Sequence, residues 1–271
     1  MKIRDFQAYN FVSRRKNKIA NYDIIGSIAI LKFDGEKRKE KLRQAKKLLK
    51  RKDIKTVLEK QDKIKGRLRT LKVRFLAGDK ILETKHKENN CKFRLNVEKC
   101  YFSPRLAEER KEIASLIKKK DKVLVMFSGV GPYAIVIAKK IGKKGKIVSI
   151  ELGRECCKYQ IQNIKINHVP VELIQGDVKK FVPKLKEKFS VIVMPRPNLR
   201  ESFLKEAFSV SKKGTRIFYY CFGHEDKLGK LVEQVYKKSK ESRKKIKIMK
   251  VKKAGNIAPY KHRYRIEIKV L

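Results

Sequence analysis

In the stretch VLVMFSGVGPY, Ser128, Gly129 and Gly131 follow an apolar run, and residues this small let backbone N–H groups come close to a bound ligand. Such a turn at the end of a buried strand is an opening for a nucleotide. About 20 residues on stands Glu151, whose carboxylate can accept both hydrogen bonds of a ribose diol. Further along, Gly176-Asp177 ends another apolar run, where the acid can meet the amino edge of an adenine or serve simply as a turn residue. A fourth run closes on Met194-Pro195-Arg196-Pro197. A dinucleotide site wants a third glycine to seat the following helix, and this chain continues instead through Pro132 and Tyr133. The glycine turn and Glu151 alone fit NAD equally well.

The elements that must position these residues are strands alternating with helices. KVLVMF, KIVSIE, VELIQGD, FSVIVMP and GTRIFYYCF have helical intervals between most of them, which predicts a parallel sheet wound on both faces. KIKIMKVKKAGNIAPYKHRYRIEIKV then supplies two strands with no crossover helix between them, a closing antiparallel hairpin. A methyltransferase sheet of class I has such a hairpin and an ordinary dinucleotide-binding domain does not. Together with Asp177 it favours S-adenosylmethionine as the cofactor. Ligands in a doubly wound sheet lie across the carboxyl ends of the strands, so the expected cofactor contacts are Phe127, Ser128, Gly129, Gly131, Glu151, Asp177 and Met194. The fold class is α/β, a Rossmann-like methyltransferase sheet preceded by a small α+β domain.

That first domain is expected over residues 1–102 and the methyltransferase domain over 103–271. YDIIGSIAILKF reads as a hairpin interrupted by Gly26, and Leu42, Ala45, Leu48 and Leu49 mark a basic amphipathic helix. Short strand-like runs follow up to Cys100. Ser103-Pro104 predicts an N-cap and a first helical turn, opening a helix with Leu106, Ile113, Leu116 and Ile117 on its apolar stripe.

The chain carries 73 Lys and Arg against 28 Asp and Glu, a net charge of +45, which draws polyanions and makes nucleic acid the expected large partner. A lysine-rich solvated surface is the plainer explanation of the lysine count alone. The start MKIRDFQAYN lacks a signal-peptide core and no run approaches the roughly 18 apolar residues of a membrane span, so a soluble, cytoplasmic monomer is expected, with no membrane partner. Five cysteines without C-x-x-C spacing predict neither a disulfide framework nor a zinc site, and no other metal is expected.

YDIIGSIAIL, KTVLEKQDKIKGRLRT, ETKHKENNCKF, YFSPRLAEER, MFSGVGPYAI and the closing hairpin together resemble the archaeal and eukaryotic type of tRNA guanine-N1-methyltransferase, which acts at position 37 beside the anticodon. The resemblance covers nearly all of the chain from Tyr22 onward, and YFSPRLAEER is its most diagnostic element. It implies that Glu109 is the general base that removes the proton from ring nitrogen 1, and that Arg69 steadies the exocyclic oxygen as charge moves there. It counts Arg110 among the catalytic residues, has Arg105 and Arg110 flank Glu109 to hold the target nucleotide's phosphates or the base itself, and gives Arg105, Pro195, Arg196 and Pro197 to the substrate nucleotide. A surface ion pair between Arg105 and Glu109, four residues apart, is the plain alternative. The implied partner is the anticodon stem-loop, with its target base flipped into a cleft.

The chain departs from the family pattern in three places. Val125 stands where an aspartate is usual, removing a carboxylate near the methionine end of the cofactor. Pro195 stands where an asparagine is usual, and proline offers neither a side-chain amide nor an N–H. The segment before Tyr22 is too short for the module with which longer relatives contact the tRNA elbow. The second departure resembles the archaeal branch that also methylates carbon 7 of the tricyclic wyosine precursor, 4-demethylwyosine, so that activity is the alternative, alone or in addition. From another class, a catalytically inactive tRNA-binding protein would fit Val125 and Pro195.

Overall fold

The computed structural model describes residues 19–61, 70–196 and 201–271. Strand β1 (Tyr22–Ile25) turns through Gly26 and Ser27 into β2 (Ile28–Leu31), helix α1 (Arg38–Leu49) crosses over, and β3 (Thr56–Lys60) lies parallel to β2. Strand β4 (Val73–Gly78) then adds antiparallel to β3, which completes a four-stranded sheet. Ala45 and Leu48 of α1 are buried against Ala29, Leu31 and Val57 of this sheet, the face that the leucine spacing predicts.

A separate hairpin, β5 (Glu83–Glu88) with β6 (Cys91–Asn96), follows. It precedes residue 102 in sequence yet acts as a strut between the two sheets. On one side the N–H groups of Gly26 and Ser27 donate to His86 Nδ1 (3.2 Å) and Thr84 Oγ1 (3.0 Å). Gly26 has φ +56°, and a Cβ there would lie 2.4 Å from the Lys85 carbonyl oxygen, so no other residue fits the approach. On the other side two helical asparagines imitate a neighbouring strand. Asn163 Oδ1 accepts from the Arg94 N–H (2.7 Å) and its Nδ2 donates to the Arg94 carbonyl (3.1 Å). Asn167 does the same with Lys92 (2.8 and 2.7 Å), so the free edge of β6 is closed by side chains.

The large sheet runs β12-β13-β11-β10-β7-β8-β9. Its members are β7 (Lys122–Met126), β8 (Lys146–Glu151), β9 (Glu172–Gln175), β10 (Phe189–Met194), β11 (Ser211–His224), β12 (Ile246–Ala258) and β13 (Lys261–Val270). The first five are parallel, and β13 lies antiparallel between β11 and β12, the closing hairpin that the sequence predicts. The continuous apolar runs of β7 and β10 are buried on both faces because helices cover the sheet on either side. Those helices are α2 (Ala107–Leu116), α3 (Pro132–Ile141), α4 (Arg154–Asn167), α5 (Val178–Phe181), α6 (Leu204–Ser209) and α7 (Leu228–Glu241). Val125 is fully buried as the last residue but one of β7. Strand β12 forms an edge, and Lys247, Lys250, Lys252 and Lys253 along it discourage pairing with another chain. No described helix is long and apolar enough to cross a membrane.

Candidate active site

At the carboxyl end of β7 the chain leaves the strand at Phe127, which has φ +60°, and passes through Gly129 (φ +59°) and Gly131 (φ +88°) into α3. Pro132 occupies the first turn of that helix, where its missing N–H costs nothing. The two glycines have different duties. A Cβ on Gly131 would lie 2.8 Å from Gln160 Cγ, so that glycine lets α3 and α4 approach each other. A Cβ on Gly129 would meet nothing nearer than the Tyr101 carbonyl oxygen at 3.8 Å, so that glycine faces open space.

Beside it, Glu151 is held by backbone. Its Oε2 accepts from the Gly129 N–H (2.7 Å) and its Oε1 from the Gly153 N–H (2.8 Å). Each oxygen keeps a further lone-pair direction, which suits a carboxylate fixed in advance to receive a diol. The cleft above has a volume of about 650 Å³, counting its open mouth. Phe127, Ser128, Gly129 and Glu151 line one side, Tyr101, Phe102, Ser103, Leu106 and Arg110 another, and Pro195 and Arg196 the rim. Arg196 lies over the Phe127 ring at 5.7 Å, and Phe203 meets the same ring edge-on at 5.0 Å.

Several expected contacts take other duties. The Ser128 hydroxyl donates to Gln160 Oε1 (2.7 Å), and Gln160 Nε2 donates to Ser149 Oγ (2.7 Å), so this buried chain anchors the turn to α4. Met194 is 2 % exposed and packs into the core, because alternation along β10 turns it away from the cleft. Gly131 caps α3 and does not line the cleft. Asp177 accepts from the Lys179 N–H (3.0 Å) and caps α5, outside the residues that line the cleft. Arg69 and Pro197 lie outside the described residues.

The helix after Ser103 differs in detail from its expected form. Ser103 makes no side-chain cap; a 3-10 turn over Pro104–Leu106 precedes α2 instead. Arg105 pairs with Asp23 of β1 (2.5 Å) rather than with Glu109, and its side chain is 66 % exposed. Arg110 is fully buried, grips both oxygens of Glu88 (2.5 Å each) and donates to the Ser103 carbonyl (2.9 Å). A guanidinium taken from water needs such a partner, so Arg110 is a wall of the cleft, committed to Glu88 rather than free for a phosphate. Burial opposes ionisation of Glu88, yet hydrogen bonds from His86 and Arg110 outweigh it and hold that carboxyl below its usual range.

Glu109 is buried and is not among the residues that line the cleft. Its Oε1 accepts from Arg265 Nη1 (2.6 Å) and from the Tyr220 hydroxyl (2.6 Å), and Lys252 Nζ is 3.5 Å from Oε2. Arg265, wholly buried on β13, also bonds Glu112 (2.8 Å) and Glu267 (2.6 Å). Tyr220 and Arg265 carry no local signal, since a lone aromatic or arginine in a strand reads as packing. Cys100 and Cys156, expected to be reduced, form a pair with Cα atoms 5.5 Å apart. They are 56 residues apart in sequence, so no local spacing announces them.

The profile of the TRM5/TYW2 methyltransferase domain matches residues 84–250, and that of the TYW2 N-terminal domain matches residues 13–81. A relative from Nanoarchaeum equitans, the tRNA (guanine(37)-N(1))/4-demethylwyosine(37)-methyltransferase Taw22, is 36% identical over 92% of this chain and 99% of its own length. The crystal structure of Trm5b from Pyrococcus abyssi superposes with a TM-score of 0.82 at 32% identity, over 96% of this chain and 82% of that one. TYW2 of P. horikoshii in complex with MeSAdo superposes with a TM-score of 0.78 at 25% identity, over 93% and 90%. With the strand order, the glycine turn and the fixed Glu151 all in place, the chain belongs to the TRM5/TYW2 methyltransferase family.

Proposed function

We propose that this protein transfers a methyl group from S-adenosylmethionine to ring nitrogen 1 of guanosine 37 in tRNA, and that carbon 7 of 4-demethylwyosine at the same position is a second substrate. The observation that carries the reading is the carboxylate of Glu151, set by Gly129 and Gly153 beside an open glycine face at the carboxyl end of β7. Gly129, Glu151 and Phe127 fit the adenosyl part of the cofactor, which supplies an electrophilic methyl group. Glu109 is the general base that takes the substrate proton, because a ring nitrogen that still carries its proton is a poor nucleophile. Pro195 and Arg196, which line the cleft, are assigned to the target base. Pro195 in place of an asparagine favours the second substrate, since carbon methylation makes different demands at that point.

In this reading residues 1–102 form a tRNA-contacting module and 103–271 the methyltransferase domain, with the β5–β6 hairpin as a shared strut. The enzyme works as a cytoplasmic monomer on the anticodon stem-loop, and the net charge of +45 supplies sequence-independent attraction to the RNA backbone. The test is transfer from labelled S-adenosylmethionine to transcripts carrying guanosine or adenosine at position 37 and to tRNA bearing 4-demethylwyosine, with nucleoside analysis. Label on guanosine as 1-methylguanosine, and on carbon 7 of the tricycle, is expected. No transfer to any of the three would overturn the reading and leave an RNA-binding protein.

A further inference from the structure

Among the described residues three arginines are buried, and they are not alike. Arg110 holds Glu88, and Arg265 holds Glu109, Glu112 and Glu267. Arg263 is 7 % exposed, its Nε is sealed from solvent with no hydrogen-bond partner, and no carboxylate among the described residues pairs with its guanidinium. A buried charge in this state is costly, so its presence points to an anion that arrives from outside.

The register of the sheet says where that anion would bind. Strand β13 runs antiparallel to β11, so its first residues lie at the carboxyl edge of the sheet, the edge that also carries the glycine turn. Arg263 stands opposite Phe222 of β11 and Gly255 of β12, neither of which carries charge. Its guanidinium lies over the Phe222 ring at 5.6 Å. Stacked in this way, a guanidinium keeps its N–H groups pointing outward in its own plane, the fork that grips two oxygens of one anion. The carboxylates at this edge already have partners: Glu225 has Lys253 and His262, and Asp226 has His224. Alternation along β13 puts Lys261, exposed at the end of the strand, on the same face as Arg263. Tyr220 shares this face from β11, and its ring meets that of Tyr133 in the cleft wall with centroids 6.0 Å apart. Arg263 and Lys261 therefore continue the cleft side of the sheet toward its closing hairpin.

The proposed reaction brings two kinds of anion, the carboxylate of the cofactor's methionine arm and the phosphodiesters of the RNA. Glu151 ends β8, four strands from β13, which is about 19 Å across the sheet and beyond the reach of that arm when Glu151 holds the ribose. Resting on the proposed tRNA substrate, we propose that Arg263, with Lys261 outside it, receives a phosphodiester of the RNA beside the cleft. Such a contact positions the RNA and reads no base.

The test compares the wild type with Arg263→Met, Arg263→Lys and Lys269→Met, the last a control that removes the same charge from the exposed far end of β13. Binding of the guanosine-37 transcript is followed by fluorescence anisotropy across a salt series, cofactor binding by calorimetry and stability by thermal unfolding. In Arg263→Met the affinity for the transcript should fall about tenfold, and the slope of log affinity against log salt should become shallower by about one. Affinity for S-adenosylmethionine should stay the same. The Tm of the free protein should rise, because the substitution removes a buried charge that has no partner. Arg263→Lys should restore the salt slope but only part of the affinity, since an ammonium lacks the fork. Lys269→Met should bind the transcript as the wild type does. A lower Tm with unchanged affinity for the transcript would overturn the proposal and leave Arg263 as a packing residue. Weaker binding of S-adenosylmethionine with unchanged affinity for the transcript would overturn it in favour of the cofactor's carboxylate. None of these readouts needs methyl transfer, so a wild type that binds the transcript without methylating it would sink the proposed reaction while the Arg263 variants still decide the phosphate contact.

Discussion

On one side of the cleft the turn from Phe127 to Gly131, with Gly153 after β8, works with backbone: two N–H groups fix Glu151, one glycine stays open and another admits a neighbouring helix. On the other side α2 works with buried charge. Arg110 is spent on Glu88, and Glu109 and Glu112 are gathered by one arginine from the last strand. The difference teaches where tolerance lies. A site built from backbone is sensitive to added volume and little else, whereas a site built from desolvated ions fails when any partner is removed.

Arg265→Met should therefore be the most damaging change, leaving three carboxylates at least partly unpaired. A loss of about 3–5 kcal/mol in urea unfolding is expected for a broken buried pair, and a loss below about 1 kcal/mol would show that solvent already serves this cluster. On the backbone side Gly131→Ala combines a positive φ with a 2.8 Å contact and should cost about 1–3 kcal/mol. Gly129→Ala meets only the left-handed backbone penalty of about 1 kcal/mol, yet should weaken S-adenosylmethionine binding in calorimetry more than Gly131→Ala does. Equal affinities in the two variants would break the distinction drawn between the glycines.

A smaller effect separates the two sides by pH. Arg265, with help from Lys252, lowers the Glu112 carboxyl from 4.5 to about 2. A carboxyl depressed in the folded protein adds stability that is fully present above its unfolded value and is lost as pH falls through the folded one. Acid unfolding of the wild type should thus steepen between about pH 4.5 and 2, and the curve of Arg265→Met should be flatter there. The smallest expected signal is chemical. Burial pushes the Cys91 thiol up to about 11 and those of Cys157 and Cys221 to about 12. Mass spectrometry after iodoacetamide treatment of the native protein at pH 8 should find these three unmodified, because the thiolate is the reactive form.

The backbone side is legible in the sequence, because its signals are local. Gly129, Gly131 and Glu151 follow apolar runs at short range, and the terminal hairpin follows from two strand patterns without a helix between them. The charged side is legible only in part. YFSPRLAEER marks Glu109 and Arg110, but their partners Arg265 and Glu88 lie 156 and 22 residues away, and long-range pairing leaves no trace in spacing. Arg105 illustrates the same limit: helical spacing offers Glu109, and the fold supplies Asp23. Asn163 and Asn167, which close the edge of β6, read as ordinary polar positions until the hairpin lies against them.

The arginine on β13 also sets an order in time. Domains emerge from the ribosome N-terminal part first, and the glycine turn with Glu151 can assemble once β8 and α4 have emerged. Glu109 has by then been synthesised, but the residue that fixes it arrives only with the last strand. A nascent chain can thus build its nucleotide floor well before the carboxylate beside it is held in place, so the competence to do chemistry is delayed until synthesis of the strand carrying Arg265 is complete.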